Sequence, residues 1–122
     1  MIISHGRRYI FVHIPKTGGT SLSLALEARA MKDDILIGDT PKAINRRARV
    51  KDMSAAGRLW KHSGLFDIHG VVSGEQMAGY FVFTLVRNPW DRLASYYHWL
   101  REQKFKHAAV GLAKRLTFSK FL

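Results

Sequence analysis

The sequence predicts an α/β fold, a parallel β-sheet flanked by α-helices, and three observations carry that expectation. Residues 9–14 (Y-I-F-V-H-I) and residues 80–86 (Y-F-V-F-T-L-V) are apolar, β-branched or aromatic on both alternations, the pattern of strands covered on both faces. Helical patterning fills the chain between them, and strands joined through helices pair in parallel. A glycine pair, Gly18-Gly19, follows the first run directly and leads into a helical segment.

The first strand, over 9–14, is expected at the centre of the sheet. After Pro15, Gly18 and Gly19 can take backbone angles closed to other residues, and Thr20-Ser21 are good N-cap residues for a helix starting near Leu22. That helix, over 22–31, is apolar nearly all round, with only Glu27 and Arg29 charged, and is expected to be largely buried. Residues 32–52 hold a short strand candidate at 34–37, the breaker set Gly38-Asp39-Thr40-Pro41 and then a basic run that reads as either a loop or a helix covering the site. Further on, Ser63 is expected to cap a short helix over 64–72, with Leu65, Ile68 and Val72 at helical spacing, and a second short helix fits 75–78. The strand over 80–86 ends in Arg87-Asn88-Pro89. Asn88 as cap and Pro89 in the first turn start a helix running to about Gln103, with Trp90, Leu93, Ala94, Tyr97 and Leu100 on one face. Thr117 is placed to cap a last helix carrying Phe118, Phe121 and Leu122.

The composition, 47% hydrophobic and 24% charged in 122 residues, is that of one globular domain. The chain has no cysteine, which excludes disulfides, thiol catalysis and cysteine-bound metal. No apolar run approaches the roughly 18 residues of a membrane span, and no signal-peptide core follows Met1, so a cytoplasmic protein without a transmembrane segment is expected. Twenty Lys plus Arg against nine Asp plus Glu give a net charge of +11, which calls for an anionic partner. A polyanionic nucleotide, an acidic acceptor such as a glycan, and nucleic acid are the three classes. Nucleic acid ranks last, because no helix-turn-helix, zinc-finger or RNA-recognition signature is present.

The stretch I-P-K-T-G-G-T-S, Ile14 to Ser21, carries the chemistry. Successive amides in a strand-glycine-helix turn form an anion nest, and the helix start adds partial positive charge at the same place. Lys16 supplies a full charge, and the hydroxyls of Thr17, Thr20 and Ser21 supply donors. The phosphate-loop pattern G-x-x-x-x-G-K-[ST] is not matched, since here the lysine precedes the glycines. That order resembles the loop with which sulfotransferases hold the 5′-phosphosulfate of 3′-phosphoadenosine-5′-phosphosulfate. The later stretch V-R-N-P-W-D-R-L-A-S-Y-Y resembles the 3′-phosphate-binding motif of the same family, an arginine ending a strand and a serine eight residues on.

Both motifs come in the order of the bacterial and carbohydrate-type sulfotransferases. The resemblance implies a P-loop nucleotide-kinase-like sulfotransferase fold, a single domain over residues 1–122 cut short at its C-terminal end, and transfer to a hydroxyl or amine of a carbohydrate or small-molecule acceptor. It implies that Lys16, Thr17, Gly18, Gly19, Thr20 and Ser21 bind the donor's 5′ end and that Arg87 and Ser95 bind its 3′-phosphate. Adenosine 3′,5′-bisphosphate would be the product, and no metal is required. Lys16 and His62 are the catalytic candidates, His62 because it follows Trp60-Lys61 where the family carries a Lys-His pair; His69 is the second choice of base. A structural or surface histidine is the plain alternative for either. His13 reads as structural, and Trp60, Trp90 and Trp99 read as packing residues. Arg92 could reach a phosphate or pair with Asp91 or Asp67. Two other functions compete: a phosphate-loop kinase or nucleotide hydrolase, and a non-catalytic basic nucleotide- or polyanion-binding domain.

Overall fold

Four short apolar segments build the sheet. In a computed structural model describing residues 1–122, β1 (Ile2–Ser4) and β2 (Tyr9–Val12) form an antiparallel hairpin, β3 (Ile35–Leu36) adds antiparallel to β1, and β4 (Phe81–Thr84) adds parallel to β2. The order is β3-β1-β2-β4. The sheet is therefore mixed. The expected parallel pairing holds for β2 and β4 alone, because β1 turns back into β2 through a hairpin too short for a crossover.

Side chains of period two divide between the faces. Ile3, Ile10 and Ile35 lie in one core with Met1, Ile37, Ile68 and Val72, and Ile2, Phe11 and Leu36 lie in the other with Ala43, Leu22 and Leu26. Ile10 and Phe11 have no exposed surface, so β2 is covered on both sides as its sequence indicates. Each such side chain contributes about 1.5–3 kcal/mol by leaving water. The same reading is corrected for β4. It lies at the sheet edge, and Phe81 is 71% exposed.

The first helix, α1 (Gly19–Ala28), starts earlier than expected. Gly18, not Thr20 or Ser21, is its N-cap, at φ 87° in the left-handed region where glycine has no Cβ to clash. Its burial also differs from the expectation. Gly19, Ser23 and Glu27 face inward, Leu22 and Leu26 flank them, and Leu24 is 50% exposed. The inward Glu27 carboxylate accepts from the Thr40 hydroxyl, which answers part of the cost of burying it.

Residues 32–52 form β3 and two five-residue helices, α2 (Pro41–Asn45) and α3 (Arg47–Lys51). Thr40 caps α2 through its side chain and Pro41 occupies the first turn, so the supposed breaker is a helix start. The helix expected over 64–72 is only one 3₁₀ turn, Phe66–Ile68. Ser63 is turned inward, accepting from Trp60 N and donating to Arg58 O, while the Asp67 carboxylate accepts from Gly64 N. Gly70, at φ 93°, ends the turn, and a Cβ there would meet Ser54 O at 2.6 Å. The next helix, α4 (Gly74–Gly79), has a full capping box between Ser73 and Gln76.

The chain divides into two compact units, residues 1–85 and 86–122. In the second, α5 (Pro89–Glu102), α6 (Ala108–Arg115) and α7 (Phe118–Phe121) enclose Tyr97, Leu100, Val110 and Ala113. Asn88 caps α5 as expected, whereas Thr117 takes the N-cap position of α7 without a side-chain hydrogen bond, and Trp90 is 72% exposed and leaves the predicted face. No helix is long and apolar enough to cross a membrane.

Candidate functional site

The loop between β2 and α1 is built around two left-handed residues, Lys16 at φ 64° and Gly18 at φ 87°. A non-glycine residue in that region is strained, and such residues cluster at functional sites, though Arg8 takes φ 55° in the turn between β1 and β2 as well. The Thr17 hydroxyl donates to Ile14 O at 2.9 Å and so pins the loop, which means its proton is already engaged. Thr20 and Ser21 are exposed on the first turn of α1, and the Ser21 amide there donates to Gly18 O at 3.1 Å. That turn carries no acidic residue, and no side chain caps it. Amides, helix dipole and the Lys16 ammonium thus belong to one short segment suited to an anion. Three or more His, Cys, Asp or Glu side chains arranged to hold a metal do not occur.

Beneath the loop lies His13, just past β2. A Cβ on Gly19 would fall 2.2 Å from His13 Cδ2 and 2.5 Å from Nε2, so the second glycine is where α1 passes over the imidazole. Burial foremost, then the charges of the α-amino group, His62 and Lys61, push the His13 imidazole down to about 4. His13 is neutral near pH 7 and packed against Phe11 and His62, in keeping with a structural part. Gly19→Ala is expected to cost roughly 1–3 kcal/mol by overpacking, read as a lower urea midpoint. Adding His13→Ala should recover most of that loss, and an unchanged midpoint in the single variant would show that the ring does not fill this space.

His62 reaches the same place from the loop after Trp60. Its Nδ1–H donates to the His13 carbonyl at 2.8 Å, a bond that leaves Nε2 as the unprotonated nitrogen. The two imidazoles stand 4.8 Å apart, and the Trp60 indole is 5.0 Å from the His62 ring. Desolvation holds the His62 imidazole below its usual range, opposed by the bond to His13 O and assisted by the Lys61 charge. Lys61 itself is bonded to Asp39 at 2.6 Å.

Lys16 and His62 therefore belong to the same unit, and His62 is bonded to His13, three residues before Lys16 in the chain. His69 is exposed, with its ring against Phe66 and no comparable backbone anchor. Of the other histidines, His5 bonds the Tyr80 hydroxyl and His107 caps α6. Arg87 belongs to the second unit, exposed, three residues past the end of β4, and Ser95 is half-buried on α5. Arg92 is exposed on the same helix. Sequence reasoning missed the packing of His13 under Gly19, which only an alternation that turns His13 toward α1 could have suggested.

The model of the Sulfotransferase family matches residues 1–122, and the chain belongs to that family. Membership supports sulfotransfer in general as its class of chemistry. No curated protein and no solved structure matches the chain.

Proposed function

We propose that the protein transfers a sulfuryl group from 3′-phosphoadenosine-5′-phosphosulfate to a hydroxyl, or an amine, of a carbohydrate or small-molecule acceptor, on a sulfotransferase version of the nucleotide-kinase architecture. The observation that carries this reading is the β2–α1 loop, with Lys16 and Gly18 both left-handed immediately before an acid-free helix start, in a chain of the sulfotransferase family. These residues suit a phosphosulfate: a lysine, two exposed hydroxyls and a helix N-terminus, with no carboxylate to repel it.

In this reading Lys16, Gly18, Gly19, Thr20 and Ser21 hold the 5′-phosphosulfate on the loop that the Thr17 hydroxyl pins, and Arg87 and Ser95 hold the 3′-phosphate. His62 Nε2 takes the acceptor's hydroxyl proton as the acceptor oxygen bonds to sulfur. The sulfur–oxygen bond to the 5′-phosphate breaks, and its electron pair remains on the phosphate oxygen, where Lys16 and the first amides of α1 meet the added charge. Adenosine 3′,5′-bisphosphate leaves. Positioning and charge stabilisation supply most of the acceleration, as in phosphoryl transfer.

The role of Arg87 has its own test. Arg87→Ala should weaken adenosine 3′,5′-bisphosphate by about 10-fold or more, the value of one charge-assisted bond, and leave adenosine 5′-phosphate within about two-fold of the parent protein. Equal losses for both nucleotides, measured by calorimetric titration, would remove the 3′-phosphate from Arg87.

A further inference from the structure

The basic run over residues 42–51 separates into two sets by what the side chains do. Lys42 donates to Glu27 O at 2.5 Å, Arg46 to Met31 O and Asp34 O at 2.7 and 3.2 Å, and Arg49 to Lys32 O. These three close the carbonyls at and beyond the end of α1. The other two, Arg47 and Lys51, stand four residues apart on one face of α3 and line a cavity of about 720 Å³. The cavity lies wholly within the first unit.

Two further cations, Arg58 and Lys61, share its wall with a single acid, Asp39. That acid is already bonded to Lys61, which holds its carboxyl below the usual range. Charge in the cavity is therefore positive, with Arg47 and Lys51 bound to no acid. Between the cations the lining is apolar, with Ile37, Val50, Met53 and Leu59, and the half-exposed Trp60 indole stands at one side with the Arg58 guanidinium 6.0 Å from its centre. The volume suits a small molecule. Trp60 and Lys61 line the cavity and His62 is the next residue, its ring 5.0 Å from the indole.

We propose that this cavity seats the acceptor, and that the acceptor is a hydroxylated carboxylate with an apolar body, its carboxylate toward Arg47 and Lys51 and its hydroxyl toward His62. The proposal rests on the sulfuryl-transfer reading for what happens to that hydroxyl. A neutral sugar would leave the cations uncompensated, and a compact inorganic anion would leave the apolar wall and the indole uncovered. An anionic group on an apolar frame answers both.

The test uses a matched pair of probes, 3-(4-hydroxyphenyl)propionate and its primary amide, titrated into the full chain and followed by ligand-detected NMR without any donor. The carboxylate is expected to bind at least about 10-fold more tightly than the amide, the value of one charged hydrogen bond. In Arg47→Ala/Lys51→Ala, two exposed positions whose replacement suits a helix, that preference should fall to about two-fold or less with amide binding unchanged. Equal affinity of the two probes, failure of both to bind at millimolar concentration, or a preference untouched by the double variant would overturn the proposal. Competitive displacement by adenosine 3′,5′-bisphosphate would also overturn it, by giving the cavity to the nucleotide. Transfer to the phenol is read separately with donor present. A carboxylate preference in binding without any transfer would keep the cavity assignment and reject the sulfuryl-transfer reading, whereas equal transfer to both probes would do the reverse.

Discussion

Replacing Lys16 with alanine is expected to weaken adenosine 3′,5′-bisphosphate by about 10- to 150-fold, and to lower sulfuryl transfer further, by about 100- to 1,000-fold. The first figure is the value of a charge-assisted hydrogen bond, about 1.5–3 kcal/mol at 1.4 kcal/mol per factor of ten. The second arises because charge grows on the leaving phosphate in the transition state, where a preorganised cation acts most strongly. The fold should survive. Lys16 belongs to none of the three apolar cores, and alanine at φ 64° is no more strained than lysine. Calorimetric titration and a transfer assay check the two effects, and a variant with parental affinity and rate would end the assignment of this loop.

His62→Ala should show a different pattern, with transfer at saturating donor falling by at least about 100-fold and nucleotide affinity staying within a few-fold, since a general base acts in the transition state. The sign of the pH dependence follows from the environment of the ring. Burial and the Lys61 charge favour the neutral imidazole, so the base is active above its lowered pKa. The single-turnover rate should therefore rise on the acid side, level off below the pH at which an unperturbed histidine would, and lose that limb in the variant. A rate unchanged in His62→Ala but lost in His69→Ala would transfer the role to His69; no loss in either would remove both.

What the sequence disclosed and what it hid divide along a physical line. Strands β2 and β4 were legible because unbroken apolar runs admit few alternatives, and the loop was legible because a lysine and two glycines between a strand and a helix have a local purpose. Position within the sheet was not legible. Period-two patterning does not tell an interior strand from an edge, so Phe81 was expected inside, and three residues of β1 are too few to signal a strand that turns the sheet from parallel to mixed. Capping chemistry misled twice. Thr20-Ser21 offered a cap that Gly18 supplies by its backbone angle, and Ser63 offered one that its inward hydroxyl does not make. Thr40-Pro41 was the true start signal, mistaken for a stop. In α6, the buried Val110 and Ala113 sit three apart on either side of Gly111, a weak apolar pattern for a helix that packs on α5. At the site, the residue types were visible in the chain, while the bond from His62 to His13 O joins positions 49 residues apart and exists only in the fold.

The central claim is that the β2–α1 loop belongs to a sulfuryl donor. It is tested most directly by titrating the protein with adenosine 3′,5′-bisphosphate and, separately, with ATP plus magnesium. The account predicts saturable one-to-one binding of the bisphosphate, at least about 10-fold tighter than the magnesium complex of ATP, consistent with one additional charge-assisted contact. Tighter binding of magnesium-ATP would identify a kinase or nucleotide hydrolase instead, and equal weak binding of both, with no transfer, would leave a basic polyanion-binding domain.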